Sequence, residues 1–132
     1  MIIDSSAWIE FFRRTGSPAA VAVRTAIGDP SARLMTTDII RLEILAGADD
    51  ENLRKRMNSL LAGCEDVTQL PRGDVDDAVM LYQACRKRGE TVRAPNDCLI
   101  AAIAIRVDVP VLHADSDFNV ISRHSALRSV RV

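Results

Sequence analysis

Five acidic side chains carry the chemistry this sequence suggests: Asp4, Glu43, Asp97 and Asp115, with Asp117 two positions beyond the last. Asp4 closes the apolar opening MIID, and Glu43 sits between Leu42 and Ile44. Asp97 precedes an apolar stretch, and Asp115 follows Val111 to His113. Carboxylates gathered in one place need a cation, because two of them about 4 Å apart repel by about 4 kcal/mol at an effective dielectric of ~20. Oxygen donors without a partnering His or Cys select Mg²⁺ or Mn²⁺ over zinc. A cation held in that way lowers the pKa of bound water and neutralises charge on a phosphoryl group; a second ion would steady the leaving oxygen.

Each acid also has a structural alternative. Asp4 suits a helix cap, Asp97 suits a helix N-terminus through the macrodipole, and Asp115 and Asp117 suit turns. Glu43 is the hardest to dismiss. A carboxylate beside Leu42 and Ile44 is costly to bury unless it is paired or reaches a polar cleft, although a snorkelling surface glutamate would also fit.

The elements that must position these groups alternate between strand and helix. Met1 to Asp4 reads as a short strand, and Ser5 and Ser6 can cap a helix through Trp8, Ile9, Phe11 and Phe12. Ser17 with Pro18 starts a second helix that stops near Gly28 to Pro30, before a short strand from Leu34 to Thr36. Thr37 or Asp38 caps a helix ending at Gly47. A further helix spans about Asp50 to Ala62, and Val67 to Leu70 reads as a strand closed by Pro71. Helical spacing from Asp74 to Arg88 stops at Gly89, and Asn96 caps a helix through Leu99, Ile100, Ile103 and Ile105. Val111 to His113 is a buried strand, and Ser129 to Val132 an edge strand. The expected class is α/β with a parallel sheet. In such sheets ligands bind outside the carboxyl ends of the strands, the edge to which Asp4 and Asp115 belong. Asp97 and Glu43, each near a helix start on that side, complete a cleft of four acids.

A chain of 132 residues fits one domain, residues 1–132, with no repeat or linker. Hydrophobic and charged fractions of 48% and 27% exclude a disordered or fibrous class. No apolar run reaches the ~18 residues of a membrane span, and the N-terminus lacks a signal pattern, so a cytoplasmic location is expected. Cys64, Cys85 and Cys98 are odd in number and far apart, as reduced packing residues are. The net charge of −1 gives no global sign of nucleic-acid binding, yet Lys55 and Lys87 are the only lysines among 17 basic residues. Arginine's planar fork suits phosphate and stacks on bases, though a GC-rich genome produces the same bias. Arg93, just ahead of Asn96 and Asp97, is in reach of the cleft to hold a phosphate, or is a solvated loop residue. Arg86, Lys87 and Arg88 read first as a dipole-complementing helix end. His113 and His124 lack ligand-like spacing and receive no catalytic role. Trp8, Phe11 and Phe12 are assigned to core or dimer contacts.

The segments MIIDSSAW, RLEILAG, RAPNDCLIAAIA and HADSDF, in this order, resemble the PIN-domain ribonucleases, and most closely the VapC toxins of bacterial type II toxin–antitoxin pairs. The resemblance spans nearly the whole chain. It implies a three-layer α/β/α fold with a short, mainly parallel central sheet, and Mg²⁺- or Mn²⁺-dependent cleavage of RNA. It also implies homodimerisation and inhibition by a VapB-type antitoxin. Carried over by residue, the acidic centre maps to Asp4, Glu43, Asp97 and Asp115, with Asp117 as an additional acid and Ser6 as the small polar residue near the metal. Many relatives read D-T-S where this chain has Asp4-Ser5-Ser6, which keeps the hydroxyl. Two other readings compete. A Mg²⁺-dependent phosphatase with Asp4 as nucleophile lacks the D-x-D-x-T pattern and a lysine near the final carboxylates. A catalytically silent PIN-like module binding RNA or protein is disfavoured by the complete set of acids.

Overall fold

The computed structural model describes residues 1–130. Five strands form one sheet: β1 (Ile2–Ile3), β2 (Met35–Thr36), β3 (Glu65–Asp66), β4 (Val111–Leu112) and β5 (Ser129–Val130). All pairings are parallel and the order is β3-β2-β1-β4-β5. Parallel neighbours need crossovers, and the chain supplies helices. α1 (Ser5–Phe12) and α2 (Pro18–Gly28) join β1 to β2, and α3 (Asp38–Ala46) and α4 (Glu51–Ala62) join β2 to β3. α5 (Gly73–Lys87) and α6 (Pro95–Arg106) lead to β4, and α7 (Ser116–Arg123) leads to β5.

Right-handed crossovers put the first four helices on one face and the last three on the other. The packing agrees: α1 meets α2 and α3, and α3 meets α4, while α5, α6 and α7 pack on one another. The result is the expected α/β/α layering. Its core joins Ile2, Ile3, Val111 and Leu112 of the sheet to Trp8, Ile40, Ile44 and Leu61 on one side and Ile100, Ile103, Phe118 and Ile121 on the other. Trp8 stacks on Phe12 at 5.7 Å between centroids, so this aromatic pair belongs to the core, and Phe11 meets Trp8 edge-on. Cys85 and Cys98 are buried and Cys64 half-buried, all with free thiols.

Several helix starts follow directly from sequence. The Ser17 side chain accepts from the Ala20 N–H with Pro18 in the first turn, Thr37 accepts from Ile40, and Asp50 from Leu53. Past α5, Gly89 takes the left-handed backbone, φ +76°, that a helix stop favours in glycine.

Other boundaries depart from expectation. The third strand lies at Glu65–Asp66 rather than Val67 to Leu70. It is a sheet edge, joined through backbone bonds, and so carries exposed charged side chains; apolar Val67 follows it, buried in the core with its N–H donating to Thr36 O at 2.8 Å. Asn96 is not a cap. Pro95 occupies the first turn of α6, Ala94 is the N-cap without a side-chain bond, and Asn96 is exposed. Beyond β4 the chain forms a helix, α7, that the sequence does not announce; Asp115 is its N-cap, and Phe118 and Ile121, one turn apart, are its buried apolar contacts. The last strand covers Ser129–Val130, and the expected extension to Val132 lies outside the described residues. No described helix is long and apolar enough to cross a membrane.

Candidate metal centre

From β1 the chain moves outward to β2 and β3, then returns to lay β4 on the opposite side of β1. A crevice opens at such a reversal, outside the carboxyl ends of the two central strands. Asp4 follows β1 and Asp115 lies three residues past β4, with Ile3 registered on Leu112. The Asp4 N–H donates to Leu112 O at 2.9 Å, so the two strand ends advance together.

Ser6 fixes the junction. Its N–H donates to Asp4 Oδ2 at 2.9 Å, and its hydroxyl donates to the same oxygen. That hydroxyl also accepts from the Ala114 N–H at 3.0 Å, which ties the end of β1 to the segment after β4. Asp4 Oδ1 is left buried without a hydrogen-bond partner. Burial, opposed by the Ser6 bonds and aided by the charge of Glu43, raises the Asp4 pKa to about 6.

Asp97 lies at the centre of the charge distribution. It sits in the first turn of α6, 7% exposed, with Oδ2 buried and unpartnered. Burial first, and then repulsion from Asp4, Asp115, Asp117 and Glu43, raises its pKa to about 8. The first turn of a helix ordinarily favours a carboxylate; here desolvation and the other acids outweigh it. Carboxylate oxygens of Asp97, Asp115 and Asp117 all lie within 4.8 Å of one another.

Glu43 is half-buried in α3, between an exposed Leu42 (67%) and a buried Ile44. The buried Ser5 hydroxyl donates to Glu43 Oε2 and holds it across the crevice. Sequence reasoning valued Ser5 only as a helix start; the signal available was its place beside the first acid, and its partner 38 residues away became visible only in the fold.

Asp117 is 3% exposed and almost saturated: Oδ2 accepts the N–H groups of Arg93 and Ala94 at 2.9 and 3.2 Å, and Oδ1 accepts Arg93 Nε at 3.1 Å. It therefore anchors the loop that launches α6 and, through it, Asp97. Asp115 is more open; its Oδ1 accepts the Asp117 N–H at 2.9 Å and Arg93 Nη2 at 2.7 Å. Arg93, expected to hold a phosphate or to be solvated, spans two carboxylates here with its side chain 70% exposed. His113 is buried against Phe118, 5.1 Å between ring centroids, with its pKa lowered by burial, which suits a neutral packing residue. A cleft of about 400 Å³ opens beside Asp115, lined by Glu10, Ser17, His113, Ser116 and Asn119.

The donor set fits a hard divalent cation. Two buried carboxylate oxygens lack partners, their acids carry raised pKa values, and no thiolate or imidazole joins the cluster among the described residues. An uncompensated carboxylate is costly in such a place, and a cation removes that cost.

The match to known proteins agrees with this architecture. Residues 1–123 match the family model of the PIN domain, and the chain belongs to that family. It is 44% identical over 135 residues to VapC ribonuclease Mb1587 of Mycobacterium bovis and to Ribonuclease VapC11 of Mycobacterium tuberculosis, covering 98% of this chain and 96% of each relative. Among solved structures, VapBC-1 from nontypeable Haemophilus influenzae superposes with a TM-score of 0.73 at 17% identity, covering 98% of this chain and 95% of that one. VapBC2 from Rickettsia felis, bound to a promoter DNA fragment, gives 0.71 at 13% identity, covering 98% and 96%. At these identities the structures speak for the fold, and the mycobacterial relatives for the family.

Proposed function

We propose that this chain, as one PIN unit over residues 1–132, is a divalent-metal-dependent endoribonuclease of the VapC kind, the toxin of a VapBC pair. The observation that carries the reading is the pair of unpartnered buried oxygens, Asp4 Oδ1 and Asp97 Oδ2, at the sheet's reversal point. The relatives named VapC ribonuclease supply the substrate class, RNA. Asp4 and Asp97 are the direct ligands of the cation, with Glu43 and Asp115 completing its surroundings directly or through water. Mg²⁺ is the proposed ion and Mn²⁺ a substitute, since oxygen-only donors suit both. When bound, the cation supplies Lewis acidity that neutralises phosphoryl charge and acidifies water at the site.

The chain's own residues then orient the substrate. Ser6 holds Asp4, Ser5 holds Glu43, and Asp117 fixes the loop bearing Arg93 and the start of α6. The Arg93 side chain is 70% exposed, so its guanidinium can exchange its carboxylate partners for an RNA phosphate. Water adds to phosphorus, the phosphodiester P–O bond breaks, and the leaving oxygen takes up a proton. Solved neighbours of the same fold are VapBC assemblies, which supports a VapB-type antitoxin as partner, and homodimerisation is part of the same reading. A cytoplasmic location goes with that role.

The test is cleavage of total RNA by purified protein in Mg²⁺, compared with Asp4→Asn and Asp97→Asn. Loss of at least ~100-fold in rate is expected for each, with antitoxin binding retained. Full activity in either variant would overturn the metal mechanism, and an inactive parent would favour a silent binding module.

A further inference from the structure

One positive group already sits among the acids. Arg93 reaches Asp117 Oδ1 through Nε at 3.1 Å and Asp115 Oδ1 through Nη2 at 2.7 Å, with Nη2 also 3.3 Å from Ser116 Oγ. The two acids differ in what else holds them. The Asp117 side chain is buried and retains two backbone N–H donors, from Arg93 and Ala94, whatever the Arg93 side chain does. Asp115 is 30% exposed, and its contact with Arg93 is made by a side chain that is itself 70% exposed. The guanidinium is thus attached at its root by backbone bonds and free to swing at its tip. One oxygen from each of these two carboxylates lies within 4.8 Å of one from Asp97, whose Oδ2 has no partner.

From this geometry we propose that Arg93 is a tethered counter-cation of the Asp97–Asp115–Asp117 cluster. It competes with a divalent ion for Asp115 and keeps the metal loosely held until RNA phosphate draws the guanidinium away. A fixed positive charge beside three carboxylates offsets part of the potential that would attract an ion, and the Nη2 contact on Asp115 Oδ1 takes up one of the two oxygens that this carboxylate could offer an ion. Arginine serves this role because it stays charged at all working pH values and pairs equally well with carboxylate and phosphate. The inference rests on the metal-nuclease reading and adds a regulated affinity to it. Arg93 acts here as a positioning residue, through the carboxylates.

The experiment measures Mn²⁺ binding to the RNA-free full chain, by calorimetry and by electron paramagnetic resonance of free Mn²⁺, in the parent, Arg93→Gln and Arg93→Lys. Competition requires Arg93→Gln to bind about tenfold more tightly than the parent, within the ~10–100-fold range by which groups around a metal tune its affinity. Arg93→Lys, which keeps the charge and loses the fork, should fall between the two. Circular dichroism of both variants should match the parent, since Asp117 keeps its backbone donors. Unchanged or weaker Mn²⁺ binding in Arg93→Gln, with the parent binding normally, overturns the proposal and leaves the nuclease reading standing. Absence of Mn²⁺ binding in all three proteins overturns both.

Discussion

Replacing Asp97 by Asn should destroy metal binding while making the metal-free protein more stable, and the gain should grow with pH. The Asp97 carboxyl has its pKa raised to about 8 by burial and by the charges of Asp4, Asp115, Asp117 and Glu43. A carboxyl whose folded pKa exceeds its unfolded value binds its proton more tightly when folded. Its contribution is therefore fully present in acid and is lost as pH rises from about 4 towards 8. The interval from an ordinary 3.8 to about 8 bounds the loss at about 6 kcal/mol. Relaxation and water penetration around a buried charge reduce this bound, so about 2–3 kcal/mol is the expected size at pH 8, and under about 1 kcal/mol at pH 5. Asn has no proton to lose and escapes this penalty. In a domain of this size that gain corresponds to a rise of about 6–12 °C in Tm at pH 8. Thermal melts in EDTA at pH 5 and pH 8 measure it directly. In excess Mg²⁺ the order should reverse, because the parent alone gains the stabilisation that follows ligand binding. The reasoning fails if, in EDTA, Asp97→Asn is the less stable protein at both pH values, or if its advantage does not increase with pH.

Other outcomes follow from separate parts of the molecule. Ser5→Ala should leave the fold intact by circular dichroism but lower Mg²⁺ affinity or cleavage by about tenfold or more, because Glu43 loses the hydroxyl that holds it across the crevice. The fully buried Asp74 carboxylate meets Arg106 Nε and Nη2 at 2.8 and 3.0 Å; burial pushes its pKa up, but the bonds from Arg106 and the Leu70 N–H outweigh this and leave it below the ordinary range. Arg106→Met should therefore cost about 3–5 kcal/mol in urea unfolding, since it strands a buried charge, whereas the double change Asp74→Leu with Arg106→Met should recover much of that loss. Trp8→Ala, which removes a ring stacked on Phe12 in the core, should cost about 3–5 kcal/mol in the same assay.

Much of the framework was legible in the chain itself, because local chemistry decides it. Ser17 with Pro18, Thr37 and Asp50 announce helix starts, and apolar runs ending at Asp4 and ahead of Asp115 announce strands with acids at their carboxyl ends. Where the reading failed, the deciding partner was remote or the signal was backbone alone. β3 is an edge strand joined through peptide groups, so its residues need not be apolar, and the strand-like signal falls on Val67 to Leu70 instead. Asn96 looked like a cap, yet the N–H of Ala94 is met by Asp117, 23 residues on.

Sequence alone therefore determined which side chains could bind a cation and that strand and helix alternate. Tertiary structure decided how those side chains divide the work. Placing β4 beside β1 brings Asp115 to Asp4, pairing β1 with β2 and packing α1 on α3 let Ser5 meet Glu43, and Asp117 becomes an anchor for the loop before Asp97. The same closure leaves Asp4 and Asp97 with unpartnered oxygens and gives Arg93 two carboxylates to span. The physical reason is that charge repulsion, burial and hydrogen-bond saturation depend on distances between residues tens of positions apart, which spacing along the chain does not contain.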